Sequence, residues 1–136
     1  MKVLIIHFGK NEDSYLITGI EKYEKRLTHY IPVETIYIPA LKNKIALSKE
    51  EQKEKEGITI LSKLTTNDFV VLLDEKGKNL TSMEFSNYIE KHQIEGTRRI
   101  VFITGGAYGF SEQVYKKANF KLSLSTYFSK TFISYY

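Results

Sequence analysis

Apolar residues fall in short blocks separated by polar, helix-patterned stretches. Lys2-Val-Leu-Ile-Ile-His-Phe8 is a β-branched apolar run ending at Gly9, too short for a helix, and it predicts a buried strand. Leu16, Ile20, Tyr23 and Leu27 then recur at steps of four, three and four, one face of a helix that Asp13 or Ser14 caps. Val33 to Ile38, between Pro32 and Pro39, predicts a second strand. Ser48-Lys-Glu-Glu51 has the spacing of a capping box, with a charged helix following over 49–64. Glu51 and Lys55 sit four apart and can pair. Gly57 interrupts this helix, as a close contact or as a tolerated defect costing about 1 kcal/mol. Phe69 to Leu73 predicts a third strand running into a turn at Asp74-Glu-Lys-Gly77. Thr81 and Glu84 have the spacing of a second box, ahead of a helix whose face is Phe85, Tyr88, Ile89 and His92. Ile100 to Thr104 predicts a fourth strand, Ser111 to Asn119 a short helix, and Leu122-Ser-Leu-Ser125 a fifth extended piece. The final stretch, 126–136, is aromatic and Ser/Thr-rich without a period.

Strands alternating with helices predict an α/β fold with a mainly parallel sheet flanked by helices, in a single domain over 1–136. In such sheets ligands bind beyond the carboxyl ends of the strands. The segments after Phe8, Leu73, Thr104 and Ser125 are therefore where chemistry is expected.

Composition narrows the class. Apolar residues at 42% and charged residues at 26% are those of a globular domain rather than a disordered chain. No apolar run approaches the roughly 20 residues of a membrane span, and Met1 to Phe8 lacks the basic lead-in and cleavage site of a signal peptide. With no Cys, and with His7, His29 and His92 scattered, neither disulfides nor a structural metal is expected. A cytoplasmic location is the simplest expectation. Twenty Lys and Arg against 16 Asp and Glu leave a net charge of +4, which permits contact with nucleic acid without demonstrating it.

Gly105-Gly-Ala-Tyr-Gly109 follows a buried strand, and its glycines allow close approach of a ligand to the backbone. It matches neither the dinucleotide fingerprint nor the phosphate loop, and a plain strand-to-helix turn explains it as well. Asp74 and Glu75 at a strand end could serve as a base or a ribose acceptor, although a polar turn is the commoner meaning. Ser123 and Ser125 could orient a ligand, but no nucleophile elbow surrounds them. His7 reads as a strand histidine and His92 as a helix-end histidine suited to positive charge. Lys42, Lys44, Lys53, Lys55, Arg98, Arg99, Lys116, Lys117 and Lys121 could meet phosphates, and most would also be ordinary solvated positions.

Several segments occur in one family's order. They are Lys2 to Phe8, Tyr23-Glu-Lys-Arg26, Ile38-Pro39, Lys53-Glu-Lys-Glu-Gly57, Val71-Leu-Leu-Asp-Glu-Lys-Gly77, Phe102-Ile-Thr-Gly-Gly-Ala-Tyr-Gly-Phe110 and Leu122-Ser-Leu-Ser125. Over about residues 1–125 the chain resembles the RlmH family, the SPOUT-class 23S ribosomal RNA pseudouridine N3-methyltransferases. The resemblance implies an α/β-knot fold, a homodimer, and S-adenosylmethionine bound in the knot beside the partner chain. It implies methyl transfer to N3 of a pseudouridine in 23S ribosomal RNA on the ribosome, with no membrane and no metal involved. By position it places Leu73, Gly105 and Gly106 against the cofactor. It makes Leu124, Ser125, Thr126, Tyr127, Phe128 and Ser129 a third cofactor loop.

In the family, the Leu-Ser segment leads to a His, an Arg-bearing helix and a Tyr-His pair. Thr126 to Tyr136 contains no His and no Arg. That departure implies a truncated or altered C-terminus, an incomplete knot, and exposed aromatics prone to aggregation. It raises an alternative: a non-catalytic RNA- or ribosome-binding relative that has lost part of the cofactor site. A flavodoxin-like nucleotide binder is a third reading, supported by the α/β alternation alone.

Overall fold

The computed structural model describes residues 1–8, 25, 28, 31–38, 48–104 and 109–123, of which 8, 74–76 and 82 are described by their backbone alone. Among the described residues five strands are formed: β1 (Lys2–Phe8), β2 (Val33–Ile38), β3 (Asp68–Asn79), β4 (Arg99–Thr104) and β5 (Phe120–Ser123). Three helices accompany them there: α1 (Lys49–Ser62), α2 (Ser82–Glu95) and α3 (Glu112–Lys117). The strands make one sheet in the order β2-β1-β4-β3-β5, and every pairing is parallel. The near-continuous apolar runs of β1 and β4 follow from this, because central strands of a parallel sheet are covered on both faces.

Strand alternation divides the core in two. Val3, Ile5, Val71, Ile100 and Phe102 face α2, where Phe85 and Ile89 pack on them. Leu4, Ile6, Val70, Leu72, Val101 and Ile103 face the other way, with Ile60 of α1 and Val114 of α3. Burying each such side chain contributes about 1.5–3 kcal/mol. At the amino ends of the strands, Asp68 is clamped by Arg99, with Nε donating to Oδ1 at 2.8 Å and Nη2 to Oδ2 at 2.6 Å. Burial alone would raise the Asp68 pKa, but hydrogen bonds from Arg99 and from the Thr65 N–H outweigh it and hold the carboxyl below its ordinary value.

The caps follow the sequence closely. Thr81 and Glu84 form the full reciprocal box, and Gly96 ends α2 with φ at +79°. At α1 the box is half made. The Ser48 side chain accepts from the Glu51 N–H at 3.1 Å, while the Glu51 carboxylate accepts from the Ser48 hydroxyl at 3.2 Å instead of from the backbone N–H. The ion pair in this turn joins Lys53 to Glu50 at 3.2 Å, rather than Glu51 to Lys55. Gly57 is a close contact and not a defect: a Cβ there would run into Ser111 Oγ and stand 3.1 Å from Ser111 Cβ.

Other expectations shift. α1 stops at Ser62, two residues before Leu64. The expected turn at Asp74–Gly77 is instead part of β3, which continues to Asn79. β5 runs from Phe120 to Ser123, so the expected piece at 122–125 begins earlier, and its last two residues lie outside the described ones. The helix expected over 16–27 also lies outside them, apart from Lys25, whose backbone is helical.

Candidate functional site

The carboxyl ends of β3, β4 and β5 lie side by side. Leu73 is in register with Thr104 of β4 on one side and with Leu122 of β5 on the other. The point in β3 just after residue 73 and the last described residues of β4 and β5 are therefore neighbours. Lys78 also pairs with Leu122, so four residues, 74–77, are extruded from the β3 ladder between two residues that share one partner. Such bulges redirect a strand, and they occur often beside active sites. Gly77 closes this one. A Cβ on it would stand 2.7 Å from Leu122 N and from Lys121 C, both backbone atoms that cannot yield, so glycine alone fits where the bulge crosses β5. The demand for glycine at 77 is invisible in the sequence because Asp-Glu-Lys-Gly has ordinary turn chemistry and the contact is with residues far along the chain.

Around these ends, Thr104 and Ser123 are buried polar residues, and Thr104 Oγ1 reaches Ile6 O at 3.4 Å. β5 is held to β3 from its first turn. Asn119 N donates to Val70 O, and Asn119 Oδ1 accepts from Val70 N, both at 2.8 Å. On the far side of the Gly105 segment, Gly109 has φ at +84°, and Ser111 caps α3 by accepting from Val114 N at 3.3 Å. A left-handed glycine, a buried Phe110 and a capped helix fix the point where that segment returns to the fold.

Of the expected cofactor residues, Leu73 stands half-buried at this junction. Gly105, Gly106, Leu124, Ser125, Thr126, Tyr127, Phe128 and Ser129 lie outside the described residues, but the described strands end directly at the segments that carry them. Asp74 and Glu75 fall within the bulge. His29 lies outside the described residues, and His7 and His92 are structural in setting. His7 is buried and stacked on Tyr37, with ring centroids 5.0 Å apart and planes 12° apart. His92 is buried against Phe69 and Tyr88, and its Nδ1 is 2.8 Å from Thr97 Oγ1. Burial lowers the His92 pKa, so the helix end carries a neutral ring and not the cation its position suggested.

The basic residues are partly engaged. Arg99 pairs with Asp68, Lys116 with Glu112 at 3.6 Å, and Lys121 Nζ sits 4.6 Å over the Tyr115 ring. Lys42 and Lys44 lie outside the described residues. Among the described residues no group of three or more His, Asp or Glu could hold a metal ion. None of their helices is long and apolar enough to cross a membrane. A cavity of about 830 Å³ opens at the opposite end of the sheet, lined by Lys2, Glu34, Asp68 and Arg98 among others. It is separate from the strand ends where a parallel sheet binds its ligand.

The sequence has clear relatives. The family described as "Predicted SPOUT methyltransferase" matches residues 1–132. A protein of Parabacteroides distasonis named "Ribosomal RNA large subunit methyltransferase H" is 53% identical over 125 residues, covering 92% of this chain and 80% of its own length. Proteins of the same name from Flavobacterium johnsoniae and Porphyromonas gingivalis are 47% and 42% identical over the same share of each chain. With the parallel sheet and the junction at Leu73 and Thr104 in place, these matches lead to one conclusion: the chain belongs to the SPOUT methyltransferase family, among the ribosomal RNA large subunit methyltransferase H proteins.

Proposed function

We propose that this chain, as a single methyltransferase domain over 1–136, transfers a methyl group from S-adenosylmethionine to N3 of a pseudouridine in 23S ribosomal RNA. It acts as a knotted homodimer on the cytoplasmic ribosome. The observation that carries the reading is that Leu73, where the β3 bulge begins, is level with Thr104 at the end of β4 and with Leu122 near the end of β5, in a chain of this family. Leu73, Gly105, Gly106 and the segment Leu124 to Ser129 hold the cofactor in this reading. The fit is supported by the extruded residues 74–77, which open the β3–β5 edge beside the end of β4.

S-adenosylmethionine supplies an electrophilic methyl on a sulfonium when bound. The chain's own contribution is positional. The segment 74–77, held at both ends by the β3–β5 ladder, helps to keep the acceptor nitrogen in line with the methyl, and alignment of this kind is worth several kcal/mol of barrier. Transfer to N3 would break the sulfur–methyl bond and leave a neutral thioether, and N3 would release its proton to solvent. Excess positive charge attracts the RNA backbone, an attraction that weakens as salt is raised.

Calorimetric titration of the size-checked protein with S-adenosylmethionine tests this first, followed by methyl transfer to ribosomes lacking the modification. Stoichiometric binding and incorporation at the pseudouridine are expected. A folded chain that binds no cofactor and leaves such ribosomes unmethylated overturns the reading in favour of a non-catalytic relative.

A further inference from the structure

The junction at Leu73 is one end of a row across the sheet. Leu73 is level with Thr104, and Ile6 is level with Ile103, so His7 is level with Thr104 one step on. His7 is in turn level with Tyr37 on the edge strand β2. Period-two alternation puts all four side chains on the α2 face, as it does Val3, Ile5, Phe102 and Val71 below them. Three strand spacings of about 4.8 Å set Tyr37 about 14 Å from Leu73.

Tyr37 differs from the other residues of this row. It is 69% exposed, whereas His7 behind it is 8% exposed. The imidazole lies nearly parallel to the phenol ring and supports one face of it. The other large apolar side chains left in water among the described residues are Ile58, Met83 and Ile94, single aliphatic groups on helices. Tyr37 alone among these is aromatic, belongs to the sheet and stands at the carboxyl end where chemistry is expected. A ring already stacked on one side loses little freedom when its outer face is covered.

We propose that Tyr37 is a stacking platform for an unpaired base of the RNA substrate, a few nucleotides from the methylated one, with His7 as the backing that holds the ring flat. This rests on the RNA-methylation reading above. Specific RNA recognition commonly splays unpaired bases onto aromatic side chains, and Tyr37, the one exposed aromatic among the large hydrophobic side chains left in water in the described residues, supplies such a surface. Its role is to position the RNA. It does not touch the reacting atoms.

The test is equilibrium binding of the full chain to ribosomes lacking the modification, comparing wild type, Tyr37→Phe and Tyr37→Leu. Leucine keeps bulk but removes the π face. Tyr37→Leu is expected to weaken binding by about 5- to 150-fold, with Tyr37→Phe close to wild type. The ratio between Leu and Phe variants should hold as salt is raised, because stacking releases no counterions. Wild-type affinity in Tyr37→Leu, or a defect that vanishes with salt, overturns the proposal even if methyl transfer proceeds. A wild-type chain that binds no ribosomes overturns it together with the functional reading. Absence of methyl transfer with binding still dependent on an aromatic ring at 37 overturns the reading of activity and leaves the platform standing.

Discussion

Tyr88 carries a cost that its neighbours do not offset. Its hydroxyl is buried without a hydrogen-bond partner, among Phe69, His92 and Phe120, and burial pushes its pKa up to about 12. A buried hydroxyl that has left water and gained nothing destabilises the fold. Tyr88→Phe should therefore raise stability by up to about 1 kcal/mol in denaturant unfolding; a clear loss would show that the hydroxyl has a partner. One turn on, His92 makes stability depend on pH. Its folded pKa lies below the ordinary 6.5, lowered by burial, with Glu95 opposing and Lys91 assisting. Above pH 6.5 neither folded nor unfolded chain binds the proton. As pH falls below it the unfolded chain takes the proton first, so stability declines until the folded ring also titrates. Unfolding curves between pH 7 and pH 5 should show that decline, and His92→Gln should flatten it.

At the scale of elements, α1 and α3 meet through an absence. Gly57 lets α3 approach until Ser111 and Val114 occupy the space of a Cβ. Alanine would favour the helix by about 1 kcal/mol, yet Gly57→Ala should destabilise the protein by about 1–2 kcal/mol, since the cap of α3 has to shift. Ser111→Gly in the same chain should restore most of the loss, because glycine substitutes for serine as a cap at a cost of a few tenths of a kcal/mol. Additive effects in thermal melts of the double mutant would show that the two positions do not touch. The packing of Gly57 was not legible in the sequence, where a helical glycine has two meanings and only a tertiary neighbour separates them. The N-caps at Ser48 and Thr81 and the face of α2 were legible, because they depend on residues within four positions of one another. The extruded residues 74–77 were misread for the opposite reason: local turn chemistry was genuine, but the ladder to β5 overrode it.

At the scale of the whole molecule, the parallel sheet places the candidate site before any side chain is considered. Alternation of strands and helices sufficed to direct attention beyond Leu73 and Thr104. It could not reveal that β5 would lie against β3, since sequence order says nothing about which edge a last strand joins. Gly77 is where that edge is most demanding. Gly77→Ala sets a methyl against the β5 backbone and should cost about 2–3 kcal/mol. With the loops displaced, turnover should fall by about 100-fold, beyond what lost stability explains. Methyl transfer measured below the melting transition separates the two effects, and wild-type turnover in a destabilised Gly77→Ala protein would remove the bulge from the candidate site.

The order β2-β1-β4-β3-β5 also governs how the chain comes to be folded. β1 is made first, but one of its two partners, β4, is among the last strands to appear: Lys2 pairs with Arg99. Closing that pair joins positions about a hundred residues apart, and non-local pairings of this kind slow folding. A nascent chain can lay β2 against β1 early, yet it keeps the other edge of β1 open until β4 has left the tunnel. The centre of the sheet is thus sealed late, with only the β5 edge added after it, and β1, an almost wholly apolar strand, stays half-covered through most of synthesis.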